Sequence, residues 1–214
     1  MARSSNTAPP TVPPKGTLND RRWQEVLDAA AATFDEKGYQ AATLQDVATR
    51  VDLLAPSLYY YIKTKEDLLF GVMQRAHQLG LRLIEEAPEL AGADAETRLV
   101  EFIRRWMGGT YPPEVRMVER DLRHLSPARQ AEVMGWRDRM DHYLEDIVRQ
   151  GVTDGTFDAD LEPSVVASTL FVVLNSTPTW WRASGRRSYA ELTEWYAKLF
   201  AGGLRSEQGP RRAV

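Results

Sequence analysis

Residues 43–69, TLQDVATRVDLLAPSLYYYIKTKEDLL, decide the fold of this chain. Thr43 and Asp46 stand three residues apart, as in a capping box, in which each side chain bonds the other residue's backbone N–H. Apolar residues at positions 44, 47, 48 and 51 follow at helical spacing. The stretch therefore opens with a short amphipathic helix of about two turns.

A second short helix and a long one follow in the same stretch. Residues 52–54 form a tight connection, and Pro56 suits a first helical turn because its missing N–H would be unpaired there anyway. Leu58 and Ile62 point inward four residues apart. Thr64 and Asp67 repeat the capping pattern and begin a long helix that runs towards Pro88.

An amphipathic helix precedes these elements, beginning near Asn19. Trp23, Val26 and Phe34 belong to its apolar stripe, and Gly38 is expected to end it in the left-handed conformation. Two short helices joined by a tight turn and braced by a third form the arrangement that lays its second helix in the major groove of DNA. The sequence thus predicts a helix-turn-helix between Thr43 and Lys65.

The stretch 43–69 resembles the head domain of the tetracycline-repressor-like (TetR/AcrR) family of bacterial regulators. The preceding AAATFDEKGYQAATL, residues 30–44, is similar to the helix, glycine, aromatic and threonine pattern of that family. Two departures stand in the turn. Asp52 replaces the usual glycine, and aspartate tolerates the positive φ that the turn requires. Leu53 and Leu54 are unusually apolar for this position.

The resemblance implies roles for individual head residues. By position in the family, Thr43 would contact a phosphate. Base edges or nearby backbone would be approached by Gln45, Ala55, Ser57 and Tyr60, and phosphates would be held by Tyr59, Tyr61 and Lys65. On the residues alone, the three tyrosines 59–61 cannot all face one groove, so one of them is expected to pack inward. The predicted DNA-binding residues are Thr43, Gln45, Ala55, Ser57, Tyr59, Tyr60, Tyr61, Lys63 and Lys65.

The remainder of the chain predicts an all-α body. Helical stripes separated by glycine and proline breakers place helices at about 94–107, 113–123, 127–153, 161–181 and 188–203, so the whole chain has about nine. The expected organisation is a disordered tail at 1–18, a DNA-binding domain at 19–80, a ligand-binding and dimerisation domain at 81–205, and a disordered tail at 206–214.

Dimerisation is expected from the body, because one short recognition helix covers too little DNA for useful specificity. The last two helices carry apolar residues on both sides, which suggests that one side packs in the core and the other forms the dimer interface. The alternative is that both sides pack inside a single subunit. The predicted dimer interface consists of Val166, Leu170, Val173, Leu192, Trp195, Tyr196 and Leu199.

The family resemblance also implies an effector pocket in the body. Aromatic and methionine side chains between residues 102 and 143 suit an apolar cavity, although ordinary cores have the same composition. The segment TPTWWRASGRRSYAELTEWY, residues 177–196, looks like a turn found in relatives that respond to acyl-CoA thioesters. The predicted pocket residues are Phe102, Trp106, Met107, Tyr111, Met117, Met134, Trp136, Met140, Tyr143, Trp180, Trp181 and Arg182.

Composition narrows the class of protein further. The 214 residues contain no cysteine, which excludes thiolate chemistry and suits a cytoplasmic protein. Three scattered histidines predict no metal site, and no phosphate loop, nucleophile elbow or other catalytic motif appears, so neither an enzyme nor a cofactor is expected. The net charge of −3 makes DNA affinity depend on a few well-placed groups.

These observations predict a repressor that binds a palindromic DNA operator as a homodimer and is released by a small apolar or acyl-CoA-like effector. The alternative is a DNA-binding protein whose helical body serves assembly or partner-protein contact without an effector. Neither reading involves a membrane, since no apolar run is long enough to span one.

Overall fold

The computed structural model describes residues 18–59, 61–85, 90, 92–108, 117, 120–182 and 184–207. Within those ranges the regular structure is helical, apart from a single β-bridge between Phe157 and Arg205. The all-α prediction is confirmed. Predicted sites at Tyr60 and Tyr111, both predicted tails for the most part, and most of the predicted helix at 113–123 lie outside the described residues.

Four helices form the head. They are α1 (Leu18–Lys37), α2 (Leu44–Arg50), α3 (Ala55–Leu58) and α4 (Lys65–Glu85). The first begins one residue earlier than predicted, and Gly38 follows it with a φ of +76°, the left-handed cap that the sequence indicates. Arg22 on α1 donates to the carbonyl of Val51 over 2.6 Å and so ties α1 to the turn after α2.

The described body contributes four more α-helices. They are α5 (Ala95–Met107), α6 (Pro127–Asp154), α7 (Pro163–Trp180) and α8 (Tyr189–Leu204), with a 3-10 turn at Leu122–His124. Each bound lies within two residues of its predicted value. Gly155 ends α6 with a φ of +79°, a conformation that costs glycine little.

The buried apolar side chains form two clusters. One fills the head, and it extends to Met117, Leu125 and Val133 of the body. The other lies among α5, α6, α7 and α8. The start of α6 therefore packs against the head, while the rest of α6 belongs to the body core.

Candidate DNA-binding face and effector region

The start of α2 carries the capping box that the sequence predicts. Thr43 Oγ1 accepts from the Asp46 N–H over 3.1 Å, and Asp46 accepts from the Thr43 N–H over 2.9 Å. Bonds from the Lys37 ammonium and from Thr43 lower the pKa of Asp46 to about 2. The box fixes the entry to the helix-turn-helix, and it leaves Thr43 and Gln45 exposed.

The turn between α2 and α3 has the geometry that its aspartate allows. Asp52 adopts a φ of +52°, which confirms that this residue can replace the glycine of the turn. The two leucines that follow separate. Leu53 packs against the head core, whereas the side chain of Leu54 is exposed.

The short helix α3 presents a small polar and aromatic surface. Leu58 is fully buried and anchors the helix to the core. Ser57 and Tyr59 are exposed, and Ala55 is half-buried. These three remain predicted DNA contacts, and Lys63, which follows α3 in the chain, is also exposed.

Two residues that are predicted to hold phosphates also make contacts within the head. Tyr61 is half-buried with its ring stacked on Trp23, the centroids 6.2 Å apart, so this tyrosine packs inward. The Lys65 ammonium donates to the carbonyls of Tyr39, Gln40 and Ala42 over 2.8, 3.1 and 2.9 Å. Three acceptors use all three of its donors. Tyr61 and Lys65 therefore make contacts within the head, and their role in holding phosphates stays a prediction.

The head is joined to the body by a second contact besides α4. Arg129, in the first turn of α6, forms ion pairs with Glu66 and Asp67 in the first turn of α4. The Ser126 N–H donates to Glu66 over 2.9 Å. Burial alone would raise the pKa of Asp67, but bonds from Arg129 and from two backbone N–H groups lower it overall. We call Glu66, Asp67, Ser126 and Arg129 the junction; no pattern within one helix reveals it.

The predicted pocket residues do not form one site. Phe102, Met107 and Met140 are buried in the body core, and Trp106 and Tyr143 pack against it. Met117 and Trp136 belong to the head cluster instead, because α6 turns Trp136 towards Phe70 and His77 of α4. Met134, Trp180 and Arg182 are exposed. The prediction of a single pocket lined by all of these residues is therefore wrong.

Aromatic rings fill the centre of the body. Phe102 lies 5.7 Å from Trp106 and 6.1 Å from Phe171, centroid to centroid. Trp106 meets Phe171 edge to face at 5.3 Å and donates its indole N–H to Asn175 over 3.2 Å. These contacts are those of a packed core.

A buried hydroxyl lies at the end of the body. Tyr189 opens α8, its ring meets Trp181 edge to face at 5.1 Å, and its hydroxyl has no hydrogen-bond partner within the described ranges. Burial and the neighbouring Tyr196 raise its pKa to about 12. A buried unpaired donor is costly, so a polar group of a bound molecule would be accommodated here. Sequence reasoning missed this residue, although it lies in the segment that suggests acyl-CoA thioesters.

A separate surface groove of about 820 Å³ lies beside α5. Its three arginines are each paired with a glutamate: Arg104 with Glu194, Arg105 with Glu101, and Arg205 with Glu96. None of the predicted pocket residues lines it. Two of the three pairs, Arg104 with Glu194 and Arg205 with Glu96, join distant parts of the chain, so periodicity within one helix does not predict the groove.

The predicted dimer residues also divide between core and surface. Leu170 is 1% exposed because α7 turns that side towards α6, so its assignment to an interface is wrong. Val166, Leu192 and Tyr196 are half-buried against the body core, and Val173 is half-buried as well. Trp195 and Leu199 are exposed, together with Val165 and Val172 of α7.

Two further classes of site are absent from the described residues. No group of three or more histidine, aspartate or glutamate side chains there is arranged to hold a metal ion. No helix in those ranges is long and apolar enough to cross a membrane.

Comparison with known proteins agrees with this architecture. Residues 26–72 match the model of bacterial regulatory proteins of the tetR family, and residues 92–204 match a tetracyclin repressor-like C-terminal domain. The HTH-type transcriptional repressor KstR2 of Mycolicibacterium smegmatis is 26% identical over 90% of this chain and 95% of its own.

Solved structures share the fold. The TetR family transcriptional regulator PfmR from Thermus thermophilus is 28% identical, with a TM-score of 0.74 over 84% of this chain and 98% of its own. AibR in complex with isovaleryl coenzyme A and operator DNA is 21% identical, with a TM-score of 0.74 over 86% of this chain and 98% of its own. The relatives are transcriptional regulators rather than enzymes. With both domains matched, this chain belongs to the TetR family of helix-turn-helix transcriptional regulators.

Proposed function

We propose that the chain is a repressor that binds a palindromic operator as a homodimer and is released by an apolar or acyl-CoA-like effector. The observation that carries the proposal is a set of four exposed apolar side chains on α7 and α8: Val165, Val172, Trp195 and Leu199 are each more than half exposed. We call these four residues the dimer face. Covering them with a second copy would remove apolar area from water in both subunits.

The dimer face can be tested by light scattering at micromolar concentration. The native chain is expected to have twice its sequence mass, and the double variant Trp195→Glu, Leu199→Glu is expected to be monomeric. Met134→Glu is the matched control, because Met134 is an exposed apolar residue of α6 outside the dimer face. A native chain of single mass would contradict the proposal.

Operator binding is proposed through α3 of each subunit. In a two-fold dimer the two recognition helices would meet half-sites about 34 Å, one helical turn of DNA, apart or a multiple of it. Ser57, Tyr59 and Lys63 are the exposed groups that we assign to the groove and its phosphates. Selection from a random duplex library should therefore return inverted repeats, and a single unrepeated motif would argue against a paired head.

Release is proposed to act through α4 and the junction. An effector that prefers the body conformation with displaced heads needs only a few kcal/mol of differential affinity to shift the population. A change in the body near residues 117–129 would reach the first turn of α4 through Arg129, and α3 lies immediately before it.

The effector class is supported by two observations. AibR, of the same fold, is known with isovaleryl coenzyme A and operator DNA, and the unpaired hydroxyl of Tyr189 could bond a carbonyl. Calorimetric titration with isovaleryl-CoA and longer acyl-CoAs should give heat and should dissociate the duplex. Tyr189→Phe should weaken the acyl-CoA affinity and leave duplex binding unchanged.

The second candidate is a DNA-binding protein whose body serves assembly alone. The ring contacts among Phe102, Trp106 and Phe171 favour it, because a packed centre leaves little room for a ligand. The same titration separates the two candidates. Absence of heat and of duplex release with every acyl-CoA would favour assembly over effector response.

A further inference from the structure

The recognition helix begins at an exposed leucine. Leu54 is the N-cap of α3, and 75% of it is exposed, the largest fraction among the large apolar residues that the structure describes. Its neighbour Leu53 packs into the head, so exposure is specific to one of the two.

Leu54 does little for the stability of the head. As an N-cap it forms no side-chain hydrogen bond to the helix, and leucine is among the poorest residues at this position. Its isobutyl group also stays out of the core. The side chain is therefore available for a contact outside the subunit.

The position of Leu54 points to the bases. In helix-turn-helix proteins the N-terminal residues of the second helix contact base edges in the major groove. Leu54 and Tyr59 flank α3 on either side, and they are the two most exposed large apolar residues of the described head. Unlike tyrosine, leucine has no donor or acceptor, so phosphates and polar base edges offer it nothing.

One feature of the major groove suits an isobutyl group. The C5-methyl of thymine is the apolar group that a base pair displays there, and cytosine lacks it. We propose that Leu54 reads a thymine methyl group in each half-site and so determines part of the sequence specificity. This inference rests on the proposed operator binding.

The test uses the full chain and the duplex that it selects from a random library. Each thymine of that duplex is replaced in turn by deoxyuridine, which removes the methyl group and keeps the base pair. Loss of one buried methyl corresponds to about 0.8 kcal/mol, or about fourfold in affinity. We expect one thymine in each half-site to show this fourfold loss of affinity. Replacing both thymines should weaken binding about fifteenfold.

The variant Leu54→Ser separates base reading from folding. Serine is a preferred N-cap, so the variant should unfold at the same or a higher temperature than the native chain. It should bind the thymine and deoxyuridine duplexes equally well at the position that the native chain distinguishes. Two results would overturn the role of Leu54. In one, the variant loses as much affinity as the native chain does when the thymine is replaced by deoxyuridine; in the other, no thymine replacement weakens binding by the native chain. Failure to select any duplex would instead overturn operator binding itself.

Discussion

The head and the body of this protein place their key side chains in different ways. In the head, Thr43 pairs with Asp46 and Thr64 with Asp67, each across three residues. In the body, Phe102 meets Phe171 and Trp106 bonds Asn175, across nearly seventy residues. The functional face of the head is therefore local in sequence, whereas the interior of the body depends on how the helices assemble.

The strongest test of this contrast is Phe102→Ala in the body core. Phe102 is 4% exposed and contacts Trp106, Tyr143 and Phe171, so the truncation should cost about 3–5 kcal/mol of unfolding free energy. Denaturant unfolding at fixed protein concentration measures it. A cost below about 1 kcal/mol would mean that the site is an open cavity, not a packed core.

Two glycines of α6 provide a second test, in which the expected changes in stability are smaller and opposite in sign. A Cβ on Gly151 would stand well inside contact distance of the Phe157 ring, so Gly151→Ala should destabilise the body by about 3 kcal/mol, near the upper end for overpacking. Gly135→Ala is the matched control in the same helix. Nothing lies within 4 Å of its Cβ, and alanine should stabilise α6 by about 0.5–1 kcal/mol. Two changes of the same sign would contradict the packing described.

Two lysines give the corresponding test in the head. Lys65→Met removes three bonds to backbone carbonyls and should lower the unfolding free energy by about 2 kcal/mol. Lys63→Met changes an exposed side chain, and it should weaken DNA binding without changing stability. Thermal unfolding and DNA-binding titrations measure the two effects. The assignment fails if Lys65→Met unfolds like the native chain and only DNA binding suffers.

The smallest expected effect is a pH dependence at α2. Asp46 has a folded pKa of about 2, against about 3.9 in an unfolded chain, so its contribution to stability is complete only above about pH 5. That contribution is lost as the pH falls towards 2. The unfolding temperatures of the native chain and of Asp46→Asn should therefore differ at pH 6 and converge near pH 2. A difference independent of pH would show that the capping box does not depend on the charge.

The sequence predicted the head well because its signals are short-range. Capping pairs, the tolerated aspartate at position 52 and the burial of Leu58 each depend on neighbours along one helix or turn. The helix bounds of the body were also predictable from periodicity. The roles of Lys65 and Tyr61 were not, because the carbonyls and the indole that they contact come from other parts of the chain.

The surroundings of the predicted pocket residues in the body could not be predicted, because they too depend on contacts between distant parts of the chain. An aromatic or methionine residue has the same pattern whether it faces a cavity, a neighbouring helix or the head. Trp136 and Met117 belong to the head cluster, and Leu170 is buried in the body. These positions depend on packing between helices, which periodicity within one helix does not specify. The junction likewise joins residues about sixty positions apart.

The central claim is that two copies of the head act together on one operator. Sedimentation velocity of the chain with its selected duplex tests this claim most directly, because it measures the mass of the complex. We predict two native chains, or a multiple of two, on each duplex. The double variant Trp195→Glu, Leu199→Glu should bind as a single chain on each duplex and with much lower affinity. A native complex with one chain on each duplex would contradict the account.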